Sequence, residues 1–143
     1  AKDVHSRGHE IGNHTWTHPV LTKLPIDEVK KEYMLTESII VETLGESSTI
    51  FRPPYGATND AIKEMISTPS INWSLDTLDW KHRNASKTLQ IVKKSMHNNA
   101  VILMHDIHQP TADSLRAVLQ HLQNEGYEFL PVSEVLPYVD YNM

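Results

Sequence analysis

Ala100-Val101-Ile102-Leu103-Met104-His105-Asp106-Ile107-His108 is the stretch whose reading decides the fold. It opens with consecutive apolar residues over a length that suits a strand. With no polar residue on alternate positions, the strand is expected to be covered on both faces, as in a parallel sheet packed by helices. The run stops at His105. An imidazole there, ionising near neutral pH, suits a general acid or base. His108 reads as a loop residue.

Outward from this strand the chain alternates. Before it, a helix is expected from about Ser86 to Asn98 on Leu89, Val92 and Met96. After it, a helix from about Ala112 to Glu125 carries Leu115, Val118, Leu119 and Leu122 and is closed by Gly126. Further out, strands are expected at about His9–Asn13, Thr49–Phe51, Ile71–Leu75 and Tyr127–Leu130. Between them lie a long helix from about Ile26 to Leu44, ended by Gly45, and a short one from about Asn59 to Ile66 with Thr58 as its N-cap. Ser133 to Tyr138 reads as a terminal helical turn. Ala1 to Gly8 reads as the last turns of a helix with Gly8 at its C-cap, so the chain is expected to begin inside a domain. Strands alternating with helices predict an α/β fold with a parallel sheet and right-handed crossovers. Five strands are too few to close a barrel. The expectation is one domain over residues 1–143, either a small open sheet or a barrel with its first strands missing.

Composition narrows the function. The 143 residues are 39% hydrophobic and 22% charged, with a net charge of -5, so there is no basic footprint for a phosphate backbone and nucleic acid is not an expected partner. No apolar run approaches a membrane span. The absence of cysteine excludes disulfides, thiolate metal sites and cysteine nucleophiles.

The polar residues that could carry chemistry fall at strand ends: His14 after the first, Arg52 after the second, Asp76 after the third and His105 after the fourth. In parallel α/β folds the C-terminal strand ends form the rim on which active sites are built. His14-Thr15-Trp16-Thr17-His18 places two imidazoles at i and i+4, a spacing that puts both on one side of a helical turn and suits zinc. Nine histidines in 143 residues also make chance pairs expected, His5 and His9 being another. Arg52-Pro53-Pro54-Tyr55-Gly56 is a turn stiffened by two prolines. It can present the Arg52 guanidinium to a carboxylate and the Tyr55 amide to an oxyanion. Asp76-Thr77-Leu78-Asp79-Trp80 ends a strand with a carboxylate and follows it with an indole able to stack on a sugar. If Asp76 reaches the far ring nitrogen of His105, it would hold the tautomer and stabilise the charged ring.

In this order, these segments resemble the NodB-homology polysaccharide deacetylases of carbohydrate esterase family 4. His14–His18 matches the family's His-Ser/Thr-x-x-His motif, Arg52–Tyr55 its Arg-x-Pro-Tyr-like motif, Asp76–Trp80 its Asp-x-x-Asp-Trp motif and Leu103-Met104-His105 its Leu-x-His motif. Gly12-Asn13-His14 and Leu103–His108 are similar to runs in streptococcal and lactococcal peptidoglycan N-acetylglucosamine deacetylases. The resemblance implies a distorted (β/α) barrel and a divalent metal, zinc or another such as cobalt. It implies His14 and His18 as ligands, Arg52 orienting the catalytic base, and the Tyr55 amide holding the oxyanion. It further implies Asp76 tuning the general acid His105, with Trp80 and Leu103 lining the acetyl pocket. The implied reaction is hydrolysis of N-acetyl groups on the peptidoglycan glycan strand, outside the cell or at its surface.

One motif is missing. The family's Thr-Phe-Asp-Asp supplies the base and a third metal ligand, and no Asp-Asp occurs in this sequence. The expectation is a domain lacking its N-terminal strands, inactive by itself, with an open sheet edge beside His9–Asn13 that invites association. Chitin oligomers, acetylxylan or another surface polysaccharide are alternative substrates, and an inactive sugar-binding fragment is the alternative role.

Overall fold

Apolar spacing set the helices more closely than the strands. In the computed structural model, which describes residues 1–139, nine secondary-structure elements follow one another. They are α1 (Lys2–Ser6), α2 (Ile26–Leu44), α3 (Asp60–Met65), β1 (Leu75–Asp76), α4 (Asp79–His82), α5 (Ala85–Ser95), β2 (Ile102–Leu103), α6 (Gln109–Asn124) and α7 (Val132–Val135). Short 3-10 turns lie at Leu21–Lys23, Pro54–Gly56 and Leu136–Tyr138.

α2 has the expected bounds. Asp27 and Glu28 sit in its first turn, where the helix dipole favours acid, and Gly45 closes it in the left-handed region at φ 81°. α3 is capped by Asn59, not Thr58: the Asn59 side chain accepts from the Ile62 amide. Either residue type can cap, and the extended backbone at 59 puts the oxygen in reach. Asn84 caps α5 in the same way, accepting from the Lys87 amide.

The chain forms two compact units. The first is Ala1–Asn72 with Pro131–Ser133, and the second is Trp73–Leu130 with the described residues from Glu134 onward. In the first, Asn13, Phe51 and Ser70 are joined by parallel bridges, so the expected strands are reduced to single bridging residues. Their core is Leu21, Val29, Phe51, Ile62 and Ile66, with Tyr33 edge-on to Phe51 at 5.7 Å. Each such side chain contributes about 1.5–3 kcal/mol on burial. In the second unit β1 and β2 pair in parallel, Leu75 beside Ile102 and Asp76 beside Leu103. Leu75, Val92, Val118 and Leu122 form its core, drawn from β1, α5 and α6.

One expectation fails here. Tyr127–Leu130 is not a strand: the Tyr127 amide donates to the Leu122 carbonyl at 3.0 Å, which prolongs the α6 terminus, and Phe129 and Leu130 remain exposed. Asp79–His82 forms a further helical turn, which the sequence reading did not assign.

Candidate active site

In the first unit, the parallel bridge between Asn13 and Phe51 sets the residues that follow them side by side. His14 Nδ1 donates to the Arg52 carbonyl at 2.5 Å. A carbonyl accepts only, so Nδ1 carries a proton in that bond, the second-partner arrangement typical of ligating histidines. The rings of His14 and His18 lie 4.9 Å apart, edge to face, and the Tyr55 ring is 4.8 Å from His18.

The segment from His14 to His18 is not the helical turn expected from its spacing. Thr15 and His18 are left-handed, at φ 69° and 60°. A non-glycine residue there costs on the order of 1–3 kcal/mol and needs surroundings that hold it. Here they are side chains. The Thr15 amide donates to Asn13 Oδ1, the Trp16 and Thr17 amides to Glu32 Oε2, and the His18 amide to Thr15 Oγ1, at 2.7–3.2 Å. Burial opposes the charge on Glu32, but the Thr17 amide and hydroxyl, the Trp16 amide and Lys31 outweigh it and hold its carboxyl below the ordinary value.

Asn13 is fully buried. Its amide donates to Glu37 Oε2 at 2.9 Å and to the Tyr33 carbonyl at 3.0 Å. Glu37 also accepts from the Ser48 amide and hydroxyl, each at 2.7 Å. Burial again works against ionisation of Glu37, and these donors again win, so its carboxyl is held low. Arg52 donates to the Asn72 carbonyl at 3.0 Å and, at 3.4 Å, to that of Ile71. Tyr55 is left-handed at φ 59° in the proline turn.

In the second unit the expected bond between Asp76 and His105 is absent. Asp76 Oδ1 accepts from the Leu78 amide at 2.8 Å, holding that residue at φ 54°. The partner of His105 is Asp79: the His105 Nδ1–H donates to Asp79 Oδ1 at 2.8 Å. Asp79 Oδ2 accepts from the His105 amide and the Thr111 hydroxyl, each at 2.7 Å. The carboxylate is 1% exposed and the His105 side chain 36%. Burial alone would raise the Asp79 pKa. The His105 ring, the Thr111 hydroxyl, the His105 amide and the imidazole's charge together bring it below its ordinary value. An ionised Asp79 accepts only, so Nδ1 carries the proton and Nε2 is left to exchange one.

The helical turn of α4 explains the change of partner. It turns Asp79 inward, while Trp80 beside it is about half exposed; Leu103 is buried, and its carbonyl accepts from the Thr77 hydroxyl at 2.8 Å. Among the described residues, no group of three or more histidine, aspartate or glutamate side chains is placed to hold a metal. Sequence reading missed Asn13, Glu32, Glu37 and Thr111. Only Asp79 left a signal, as the second aspartate of its motif.

A profile of the polysaccharide deacetylase family matches residues 1–71. A deacetylase designated T48, solved with substrate, is 34% identical and matches with a TM-score of 0.92 over 97% of this chain and 70% of its own. The chain belongs to the polysaccharide deacetylase family. Its fold class is therefore that of the NodB-homology barrel, as the motif order implied. Peptidoglycan-N-acetylglucosamine deacetylase PgdA of Listeria monocytogenes is 43% identical over 128 residues, which are 90% of this chain and 28% of that protein. Peptidoglycan-N-acetylmuramic acid deacetylase PdaC of Bacillus subtilis is 35% identical over 90% of this chain and 27% of its own length. The solved PdaC structure matches with a TM-score of 0.91 over 95% of this chain and 67% of that one. The chain thus spans less than a third of the length of these two curated relatives.

Proposed function

We propose that this domain serves in hydrolysis of N-acetyl groups from N-acetylglucosamine residues of peptidoglycan, giving a free amine and acetate at the cell surface or outside it. The observation that carries the reading is the Asp79–His105 pair, a buried carboxylate fixing the tautomer of a half-exposed imidazole. Water adds to the acetamide carbonyl carbon and the C–N bond breaks. His105, protonated on Nε2, gives its proton to the departing nitrogen, and the charge on Asp79 stabilises the imidazolium until it does so.

His14 and His18 fit a divalent ion, zinc or another such as cobalt, because Arg52 already engages the far nitrogen of His14. When bound, such an ion would polarise the carbonyl as a Lewis acid. Two imidazoles fall short of the three ligands usual for catalytic zinc. No Asp-Asp pair occurs in residues 1–143, so neither the third ligand nor the general base is given to a residue of this chain. In this reading the Tyr55 amide is an oxyanion donor, Arg52 orients the base, and Trp80 and Leu103 border the acetyl methyl. Asp76 passes from tuning His105 to holding the loop that delivers Asp79.

The two curated relatives are named for different sugars of one polymer, so the test offers both. Acetate release by the full-length protein, supplied with zinc, is measured on peptidoglycan and on N-acetylglucosamine oligomers. Turnover that falls by about 10²–10⁴-fold in His105→Ala, with metal content unchanged, supports the proposal. Equal turnover in that variant removes His105 from the reaction.

A further inference from the structure

Between His14 and His18, four consecutive backbone amides all donate to side-chain oxygens. Two of those acceptors, Asn13 and Thr15, are local. The third, Glu32, reaches across from α2 and takes two amides and the Thr17 hydroxyl, the last at 2.7 Å on Oε1. We infer that Glu32 is a positioning residue, whose carboxylate clamps the Trp16–Thr17 segment and thereby sets the separation of the His14 and His18 rings. This deepens the metal reading proposed above and rests on it.

The argument is geometric. A five-residue segment with left-handed residues at 15 and 18 does not hold itself. Asn13 fixes its entry and Thr15 closes its exit, and the two middle amides both donate to Glu32. Without that carboxylate, the Trp16 and Thr17 amides turn to water and the segment loses these bonds to α2. His18 lies one residue beyond Thr17, so its ring moves with the segment. His14 is held separately by the Arg52 carbonyl. The expected effect of losing Glu32 is therefore a displaced second ligand, with the first kept.

Glutamine separates position from charge. Its carbonyl oxygen can accept both amides, and the Thr17 hydroxyl can reverse to accept from its NH₂. The full-length protein is compared with Glu32→Ala, Glu32→Gln and Glu42→Ala, the last an exposed site on the same helix. Two readouts are taken: amide hydrogen exchange at Trp16 and Thr17, and zinc affinity by chelator competition. Glu32→Ala is expected to speed exchange at those two amides, leave Phe51 and Ile71 unchanged, and weaken zinc by about 10–100-fold. Glu32→Gln and Glu42→Ala are expected to match the wild type in both. Unchanged exchange at Trp16 and Thr17 in Glu32→Ala overturns the clamp. Unchanged zinc affinity in that variant, with wild-type zinc binding intact, overturns its role toward the ligands. A wild-type protein that holds no zinc overturns the metal reading, and the exchange readout still decides the clamp.

Discussion

His105 Nδ1 lies 2.8 Å from Asp79 Oδ1, whereas Asp76, the carboxylate on the paired strand, bonds the Leu78 amide instead. The acid–base pair is thus made between the residue two beyond β2 and the first residue of α4, with Thr111 of α6 holding the carboxylate from the other side.

That arrangement has an acid-stability consequence. Folding lowers the Asp79 pKa from its ordinary 3.8, so its charged form stabilises the native state. The contribution is full above the unfolded value, and it is lost as pH falls below 3.8 through the folded value. Asp79→Asn is expected to lower unfolding free energy by about 1–3 kcal/mol near neutrality, since an amide cannot accept from all three donors. The gap between wild type and variant, followed by urea unfolding, should close as pH falls below that range. A gap that stays constant into acid would show that the Asp79 charge contributes nothing.

Glu37 is expected to matter for stability. It is buried on α2 and accepts from Asn13 and twice from Ser48. Glu37→Ala strands the Ser48 amide and one proton of the Asn13 side chain, at a cost of about 1–3 kcal/mol. Denaturant midpoints check this, and an unchanged midpoint would mean that water replaces the carboxylate without loss.

Close strand approach gives a third prediction. A Cβ at Gly12 would fall 2.8 Å from Ile50 Cγ1 and 3.2 Å from its carbonyl oxygen. Ile50 is itself buried, so Gly12→Ala is expected to cost about 1–3 kcal/mol through overpacking. The thermal midpoint is the readout. A rise or no change would show that Ile50 moves freely.

The imidazole pair is tested by removal. His14→Ala and His18→Ala are each expected to abolish stoichiometric zinc binding in the full-length protein, by chelator competition, while the thermal midpoint without metal moves little, since both side chains are exposed. Zinc binding retained in both variants would place the metal elsewhere.

Much of this was legible in the sequence, for reasons that differ by element. α2 was readable to the residue because its apolar spacing ran on until Gly45, where only a left-handed residue continues the chain. The strand positions were readable, but their lengths were not. Single bridges at Asn13, Phe51 and Ser70 depend on pairing across distant segments, which a local apolar run does not fix. The backbone between His14 and His18 was not legible: an i, i+4 spacing suggests a helical turn, and two left-handed residues set the rings 4.9 Å apart instead. Asp79 was hidden because the choice between the two aspartates is made by α4, a single turn with no apolar period. Glu32 and Glu37 left no signal at all, since each reads as an ordinary helix residue until its partners on the adjoining segments are known.

The most direct measurement compares acetate release by Asp79→Asn and Asp76→Asn, both in the full-length protein and both checked for folding at the assay pH. If the Asp79–His105 pair supplies the acid, kcat falls by about 10²–10⁴-fold in Asp79→Asn and clearly less in Asp76→Asn. Near wild-type turnover in Asp79→Asn, with the larger loss in Asp76→Asn, would contradict it.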